Sequence, residues 1–320
     1  MLHSNDLKKM LGLMIQVERL ASDQSISKLF SSLEWGNIDG SELTEMVNAT
    51  GLLKRKISYS DLKLGENYLD KHLSAGVEVL PFGDSRYPLS LAITPNPPSM
   101  LYIKGNVDIL NEMPGVAIVG SRDVSPAGEE ITRRVTSKVC QQGYVIISGL
   151  AIGTDTNAHT AALSSKGKTI AVLAHGLESA KPKQNARLAD EILFTGGAWI
   201  SEYPLGRPAL KQSFVQRNRI QVGLSAVSIL IEAAKGSGTM TQADFALKAA
   251  RPIFAVVPHK DNNPLRLNCE GTKYLVEFEL ASPLRTSDDY DKLINVILDS
   301  TKKIKSYTEE YSLNIQTKLL

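Results

Sequence analysis

The chain reads as a doubly wound, Rossmann-like α/β protein with a mostly parallel sheet and a small helical N-terminal region. Three observations predict this. Over residues 77–283, short apolar runs of strand length alternate with segments of helical length, the pattern of a parallel sheet with crossover helices. The runs are apolar at almost every position, as strands buried on both faces are. The residues just after them are small, polar or basic, at the edge where such a sheet keeps its ligand.

In chain order, Leu7, Met10, Leu11, Met14 and Val17 keep three-and-four spacing and predict a first helix. Residues 25–33, 41–48 and 60–73 predict three more, the last with Ser60 as its N-cap. A linker over 76–105 follows. It holds short strands at 77–80 and 100–105 and a turn at 84–88, and Pro95, Pro97 and Pro98 force an extended path between them. The regular alternation then gives strands at 115–120, 144–148, 169–173, 197–201, 226–232 and 252–257. Helices fall between them at 127–141, 155–163, 185–193, 214–223 and 241–249. Ser287 is the expected cap of a last helix over 288–305, and the final dozen residues are polar and expected to fray. The expected units are a helical region over 1–75, a core over 76–285, and a C-terminal helix and tail over 286–320.

Composition narrows the function classes. No run of about 18 uncharged apolar residues exists to span a bilayer. The first residues lack the form of a signal peptide. Cys140 and Cys269 offer neither a disulfide framework nor a C-x-x-C pair. A cytoplasmic protein with no membrane partner is expected. The net charge of +2 excludes binding to nucleic acid by bulk charge. Within residues 101–260, however, 18 Lys+Arg stand against 12 Asp+Glu. A local positive excess in the core suits a phosphate-bearing partner.

The strand ends carry the chemistry. After the first strand of the alternation come Gly120, Ser121 and Arg122: a residue that lets a ligand approach, a hydrogen-bond donor, and a planar fork that fits phosphate oxygens. After the second come Ser148, Gly149 and a run of small residues to Asp155, where N–H groups at a helix start favour an anion. Asp155 and His159 lie four apart on that helix. They are read as a cap and a core histidine, because neither a nucleophile nor metal-ligand spacing accompanies them. A third loop carries Lys181, Pro182, Lys183 and Asn185, with two cations for successive phosphates. A basic segment with one aromatic holds Phe214, Arg217, Asn218 and Arg219. Finally, Gly236, Ser237, Gly238 and Thr239 join a buried strand to a helix. Mobile backbone, free N–H groups, two hydroxyls and the helix dipole make a phosphate cradle there. The cradle has neither P-loop spacing nor the G-x-G-x-x-G of a first βα unit. No cofactor and no metal are expected.

Taken in order, residues 118–122, 148–159, 176–185, 201–204, 214–225 and 231–257 resemble the DNA-processing protein A family (DprA/Smf). The lead-in Tyr87-Pro88 and residues 98–105 fit as well, so the resemblance covers roughly two-thirds of the chain. It implies an extended Rossmann fold, single-stranded DNA as partner, a homodimer, hand-over of the strand to the RecA recombinase in natural transformation, and no catalysis. It further implies that Arg122 and Lys183 contact the DNA backbone, that Phe214, Arg217, Asn218 and Arg219 are a second basic–aromatic segment, and that 236–239 is a phosphate loop. Sequence-independent strand binding needs such cations and a few aromatic faces. With few aromatics here, mainly backbone contact and steep salt dependence are expected.

The chain departs from the family pattern in four places. Ala180-Lys181 precedes Pro182 where a tyrosine is usual, and His259 follows Pro258 where glycine is usual. The 37 residues after Pro283 are too few for a winged helix, and none is expected. The N-terminal helices match no family motif. Other readings stay open: a relative serving a mobile element or defence locus, a nucleotide-binding sensor, or an enzyme like the nucleotide phosphoribohydrolases. Those enzymes place a glutamate three residues after their Gly-Gly-x-Gly-Thr loop. Gln242 stands there in this chain and has no carboxylate to act as a base, which leaves Glu202 or Asp244 as substitutes.

Overall fold

The computed structural model describes residues 4–33, 35, 38–110 and 114–318. The N-terminal periodicity folds as expected into α1 (Ser4–Val17), α2 (Asp23–Ser32), α3 (Gly40–Ala49) and α4 (Tyr59–Ser74). Side-chain oxygens of Ser22 and Asp39 accept from first-turn N–H groups and fix the starts of α2 and α3. The start of α4 differs from expectation. Ser58 donates its backbone N–H and its hydroxyl to the Asp61 carboxylate, so Ser58 is the cap and Ser60 lies inside the first turn.

The expected linker is part of the sheet. It forms β1 (Val77–Pro81), the one-turn α5 (Leu89–Ala92) and β2 (Met100–Gly105). The alternation follows as β3 (Gly115–Val119), α6 (Pro126–Gln141), β4 (Ile146–Ser148), α7 (Thr154–Ser164), β5 (Thr169–Val172), α8 (Ala186–Phe194), β6 (Ala198–Ser201), α9 (Lys211–Gly223), β7 (Ser225–Leu230), α10 (Gly238–Lys248) and β8 (Ile253–Val256). Sequence reading missed α11 (Glu270–Glu277) and β9 (Ser282–Leu284). The last helix, α12 (Tyr290–Lys318), runs beyond its expected end, and Thr286 rather than Ser287 caps the turn that leads into it.

The nine strands stand in the order β1-β2-β6-β5-β4-β3-β7-β8-β9. β2 is antiparallel to both β1 and β6, and every other pairing is parallel. The chain winds outward from β3 through β4 and β5 to β6, then returns to lay β7 on the other side of β3. The order therefore reverses between β3 and β7, the switch point beside which sheets of this kind place their ligands.

Alternate residues of each strand feed two cores. Val79, Met100, Tyr102, Ala171 and Trp199 pack with the N-terminal helices and α8. On that same face Val116, Ile118, Ile146, Val227 and Ile229 pack beneath α6, α7 and α12. On the other face Leu80, Leu101, Ile103, Ile170, Val172 and Ile200 pack with α5 and α9. Each fully buried aliphatic side chain of this kind contributes about 1.5–3 kcal/mol relative to exposure. Polar clasps fix the helical region to the sheet: the Asp23 carboxylate accepts from Ser99 N at 3.2 Å, and Asn5 Nδ2 donates to Asp84 at 2.7 Å. Among the described residues no helix is long and apolar enough to cross a membrane.

Candidate nucleic-acid interface

The loops after β3, β4, β5, β6 and β7 share the C-terminal edge of the parallel strands, so topology gathers the five expected segments along one rim. Gly120 turns the chain out of β3 against α7. A Cβ there would lie 2.5 Å from Thr154 Oγ1, so no side chain fits. Ser121 is not free to donate as expected, because its hydroxyl donates to Asp123 O at 2.9 Å within its own loop. Arg122 is exposed, and its guanidinium sits 5.7 Å from the centre of the Phe214 ring on α9. This cation–π pair joins two segments far apart in sequence and keeps a planar charge beside an aromatic face at the rim.

Ser148 and Gly149 sit below the rim. The Ser148 hydroxyl donates to Ile118 O at 2.7 Å and the residue is fully buried. Gly149 N donates to the Asp155 carboxylate, and Gly149 O accepts from Arg217 Nη1 at 2.7 Å. The physical role of this glycine is clearance: a Cβ would meet the Arg217 guanidinium at 1.7 Å. Asp155 also accepts from Ala151 N and lies 3.7 Å from Arg217 Nη2. Burial raises the Asp155 carboxyl pKa, against the pull of Arg217 and the N–H groups. His159, fully buried, bonds Thr169 Oγ1 through Nδ1 at 2.7 Å, and burial with nearby Arg217 lowers its pKa to about 3. Both residues are structural, and Nε2 of His159 has no protein partner.

In the third loop Lys181 and Lys183 are exposed at the rim, and the Lys181–Pro182 peptide is cis. Asn185 is 5% exposed. It donates to Leu150 O at 2.8 Å and Thr156 Oγ1 at 2.9 Å, so it staples this loop to the neighbouring one. The expectation of Asn185 as a ligand donor gives way to that role.

On α9 the four expected residues separate. Phe214 faces solvent at the rim, beside exposed Lys211. Arg217 is 7% exposed and donates to Gly149 O and Val172 O, so it ties β4, β5 and α9 together. Desolvation lowers its pKa, opposed by Asp155. Asn218 donates to Gly238 O at 3.2 Å and Thr241 Oγ1 at 2.9 Å, which positions the 236–239 loop. Arg219 pairs with the buried carboxylate of Glu202. Of the Arg-Asn-Arg run, none is a solvent-facing cation free to meet a strand, because helical geometry turns three successive residues across more than half of α9, much of which faces the core.

The 236–239 loop opens α10 three residues before its expected start, with Ser237 as N-cap. Gly236 takes φ 79°, and a Cβ on Gly236 or Gly238 would meet nothing within 4 Å. Space is therefore open above the backbone. The first N–H groups of α10 have no intrahelical acceptor, but Ser237 Oγ is shielded from solvent without a hydrogen-bond partner, so the expected hydroxyl of the cradle does not face the open side. Thr239 is largely buried. Lys235, exposed, lies 5.8 Å from the Tyr274 ring of α11.

The knot at the reversal point has no counterpart among the site residues that the sequence predicts. Glu232, fully buried at the end of β7, accepts from Ser125 N, Ser125 Oγ and Asn268 N, each at 2.8 Å. It pins the β3 and β7 loops on either side of the reversal point. An acidic residue ending an apolar strand was the available signal.

A family model described as DNA recombination-mediator protein A matches residues 78–295. The chain is 40% identical over 224 residues to the DNA processing protein DprA of Streptococcus pneumoniae, covering 66% of this chain and 78% of that protein. It is 39% identical over 199 residues to the protein Smf of Escherichia coli, where the match spans 62% of this chain and about half (52%) of the relative. In solved structures, DNA processing protein A of S. pneumoniae aligns with TM-score 0.67 at 31% identity over 89% of this chain and 94% of that one. DNA processing protein A of Helicobacter pylori, whose structure concerns its single-stranded DNA binding mode, aligns with TM-score 0.60 at 30% identity over 68% of this chain and 96% of that one. A match to most of the sheet, in sequence and in strand arrangement, places the chain in the DNA recombination-mediator protein A (DprA/Smf) family.

Proposed function

We propose that the protein binds single-stranded DNA along the C-terminal rim of its sheet, without sequence preference and without chemistry on the strand. In this reading it protects exposed or incoming strands as a homodimer and hands them to RecA. The observation that carries the reading is the Arg122–Phe214 pair at the rim. It supplies a guanidinium for phosphate and an aromatic face for a base in one place. Lys183, with Lys181, Lys211 and Lys235, extends the positive track, and Gly236, Ser237 and Gly238 take a phosphate on open backbone. The single-stranded DNA binding mode of the H. pylori relative supports the same ligand here. Arg217, Asn218, Asn185, Ser148 and Gly149 build the rim from beneath. The division into 1–75, 76–285 and 286–320 belongs to the same proposal.

The test is fluorescence anisotropy with labelled oligo-dT and oligo-dA against a duplex control, over a range of salt. Arg122→Ala and Lys183→Ala are each expected to weaken both strands alike and to flatten the log–log salt slope by about 0.7. Equal affinity for duplex, or no effect of either variant, would sink the reading.

The phosphoribohydrolase alternative is disfavoured. Gln242 is 1% exposed on the buried face of α10, with Nε2 3.3 Å from Ser228 Oγ, and Glu202 is engaged by Arg219. Incubation with nucleoside monophosphates is expected to release no free base. Release that scales with protein and fails in Asp244→Asn would revive the enzyme.

A further inference from the structure

α9 and α10 start at the rim and run back along the sheet toward its opposite edge. Beside their far halves the molecule holds a cavity of about 770 Å³. Its walls come from α2, from Phe82 with the loop 94–97, and from the outward sides of α9 and α10. The volume is that of a small-molecule site. None of the rim residues Arg122, Lys183, Phe214 or Gly238 lines it.

The lining has three chemical parts. The first is cationic. Arg219, its side chain 12% exposed, uses Nη2 on Glu202, while its Nη1 is shielded and has no protein partner. Buried donors in folded proteins are matched by an acceptor, and leaving one unmatched costs about 1–3 kcal/mol. Lys248, exposed in the last turn of α10, adds a second positive charge. A guanidinium and an ammonium in the same lining suit a phosphate group. The acidic residue in the lining, Asp23, already accepts from the N–H and hydroxyl of Ser99.

The second part is aromatic and apolar: Phe82 and Phe245, with Pro95, Pro97 and Val222, offer flat faces to a planar ring. The third is a set of amides, Gln24, Asn96 and Gln216, each able to donate and accept at a heteroaromatic edge. An anion clamp, a ring surface and edge-reading amides in one cavity match one small-molecule class.

We propose that this cavity is a site for a free nucleoside 5′-monophosphate, with the phosphate beside the Arg219 guanidinium and Lys248 and the base against Phe82 or Phe245. The site is separate from the strand rim and does not depend on the strand reading. Both helices that line it also carry the rim, since α9 bears Phe214 and α10 begins at Gly238. An occupant therefore touches the two elements that shape the interface.

The test is isothermal titration of the full chain with AMP, GMP, dTMP and inorganic phosphate. Saturable binding of at least one nucleotide is expected in the millimolar range or tighter, with phosphate alone at least tenfold weaker. Lys248→Glu removes the exposed cation, and Ala249→Trp fills the space. Each is expected to weaken the nucleotide at least tenfold with the thermal melt unchanged, whereas Arg122→Ala leaves the affinity within twofold. Arg219 is left intact because its loss strands Glu202 without a counter-ion. Absence of saturable binding, phosphate binding as tightly as nucleotides, binding that survives both cavity variants, or binding lost in Arg122→Ala each overturns the site.

Discussion

Gly149 and Arg217 are packed so closely that neither residue can change alone. Any side chain at 149 meets the guanidinium, which holds carbonyls of two strands and stands near the Asp155 carboxylate. Gly149→Ala is expected to lower unfolding free energy by about 2–4 kcal/mol in urea denaturation, through overpacking and displacement of a buried charge. A loss below about 0.5 kcal/mol would mean that Arg217 has another place to go. The same pair marks the limit of reading residues from sequence. Arg122, Lys183 and Phe214 are legible because a loop or helix start at a strand's C-terminal edge exposes whatever it carries. Arg217 and Asn218 are not, because their burial is decided by which loops pack over α9, and no local pattern encodes that. Glycine beside a strand end predicts room for a ligand, whereas Gly149 makes room for the protein's own arginine.

Among the elements, α10 carries the most specific expectation. Its N-terminus depends on Gly236 at φ 79° and on open space above the backbone. Gly236→Val is expected to cost only about 1–2 kcal/mol of stability, since nothing surrounds the new side chain, yet to weaken oligo-dT binding because the strained loop no longer offers its N–H groups in one direction. Anisotropy and urea denaturation on the same variant separate the two effects; unchanged affinity would remove 236–239 from the interface. The long apolar strands and the amphipathic helices were legible because burial on both faces leaves an uninterrupted apolar run. β9 was not, because it is three residues long with Pro283 at its centre. Proline argues against a strand except at a sheet edge, which is where β9 lies. The sequence predicts β1 and β2 as strands of a linker, not of the sheet, because an antiparallel extension at the edge of a parallel sheet has no crossover helix to announce it.

For the whole molecule, the largest core is shared: Leu11, Met14 and Leu29 of the helices pack in one cluster with Met100, Tyr102 and Trp199 of the sheet. In each of the single-tryptophan variants Trp35→Phe and Trp199→Phe, the remaining tryptophan's fluorescence and the far-UV circular dichroism are therefore expected to share one urea midpoint. Separate midpoints would show that residues 1–75 unfold on their own. Burial also lowers the pKa values of His72, His159 and His175, that of His159 to about 3. A histidine whose folded pKa lies below its unfolded value near 6.5 stabilises the fold above that value, and the contribution is lost as pH falls toward the folded pKa. Stability is thus expected to drop below pH 6.5 by about 1.4 kcal/mol per pH unit for each histidine still neutral in the fold. His159→Asn should make the slope shallower, and an unchanged slope would assign the acid sensitivity to other groups. His72 adds a local meaning, since its Nε2 accepts from Leu205 N and ties α4 to the loop after β6.

The antiparallel placement of β2 against β6 also sets an order of events on the ribosome. β2 ends at Gly105 and its partner begins at Ala198. At ordinary rates of synthesis the first strand pair waits on the order of ten seconds for its neighbour to emerge. During that interval the inner edge of β2 is an unpaired apolar strand, open to pairing with another nascent chain. The four helices that precede it are already complete and can cover one face of β1 and β2, so a segment without a recognisable binding motif can serve as a shield for the half-built sheet.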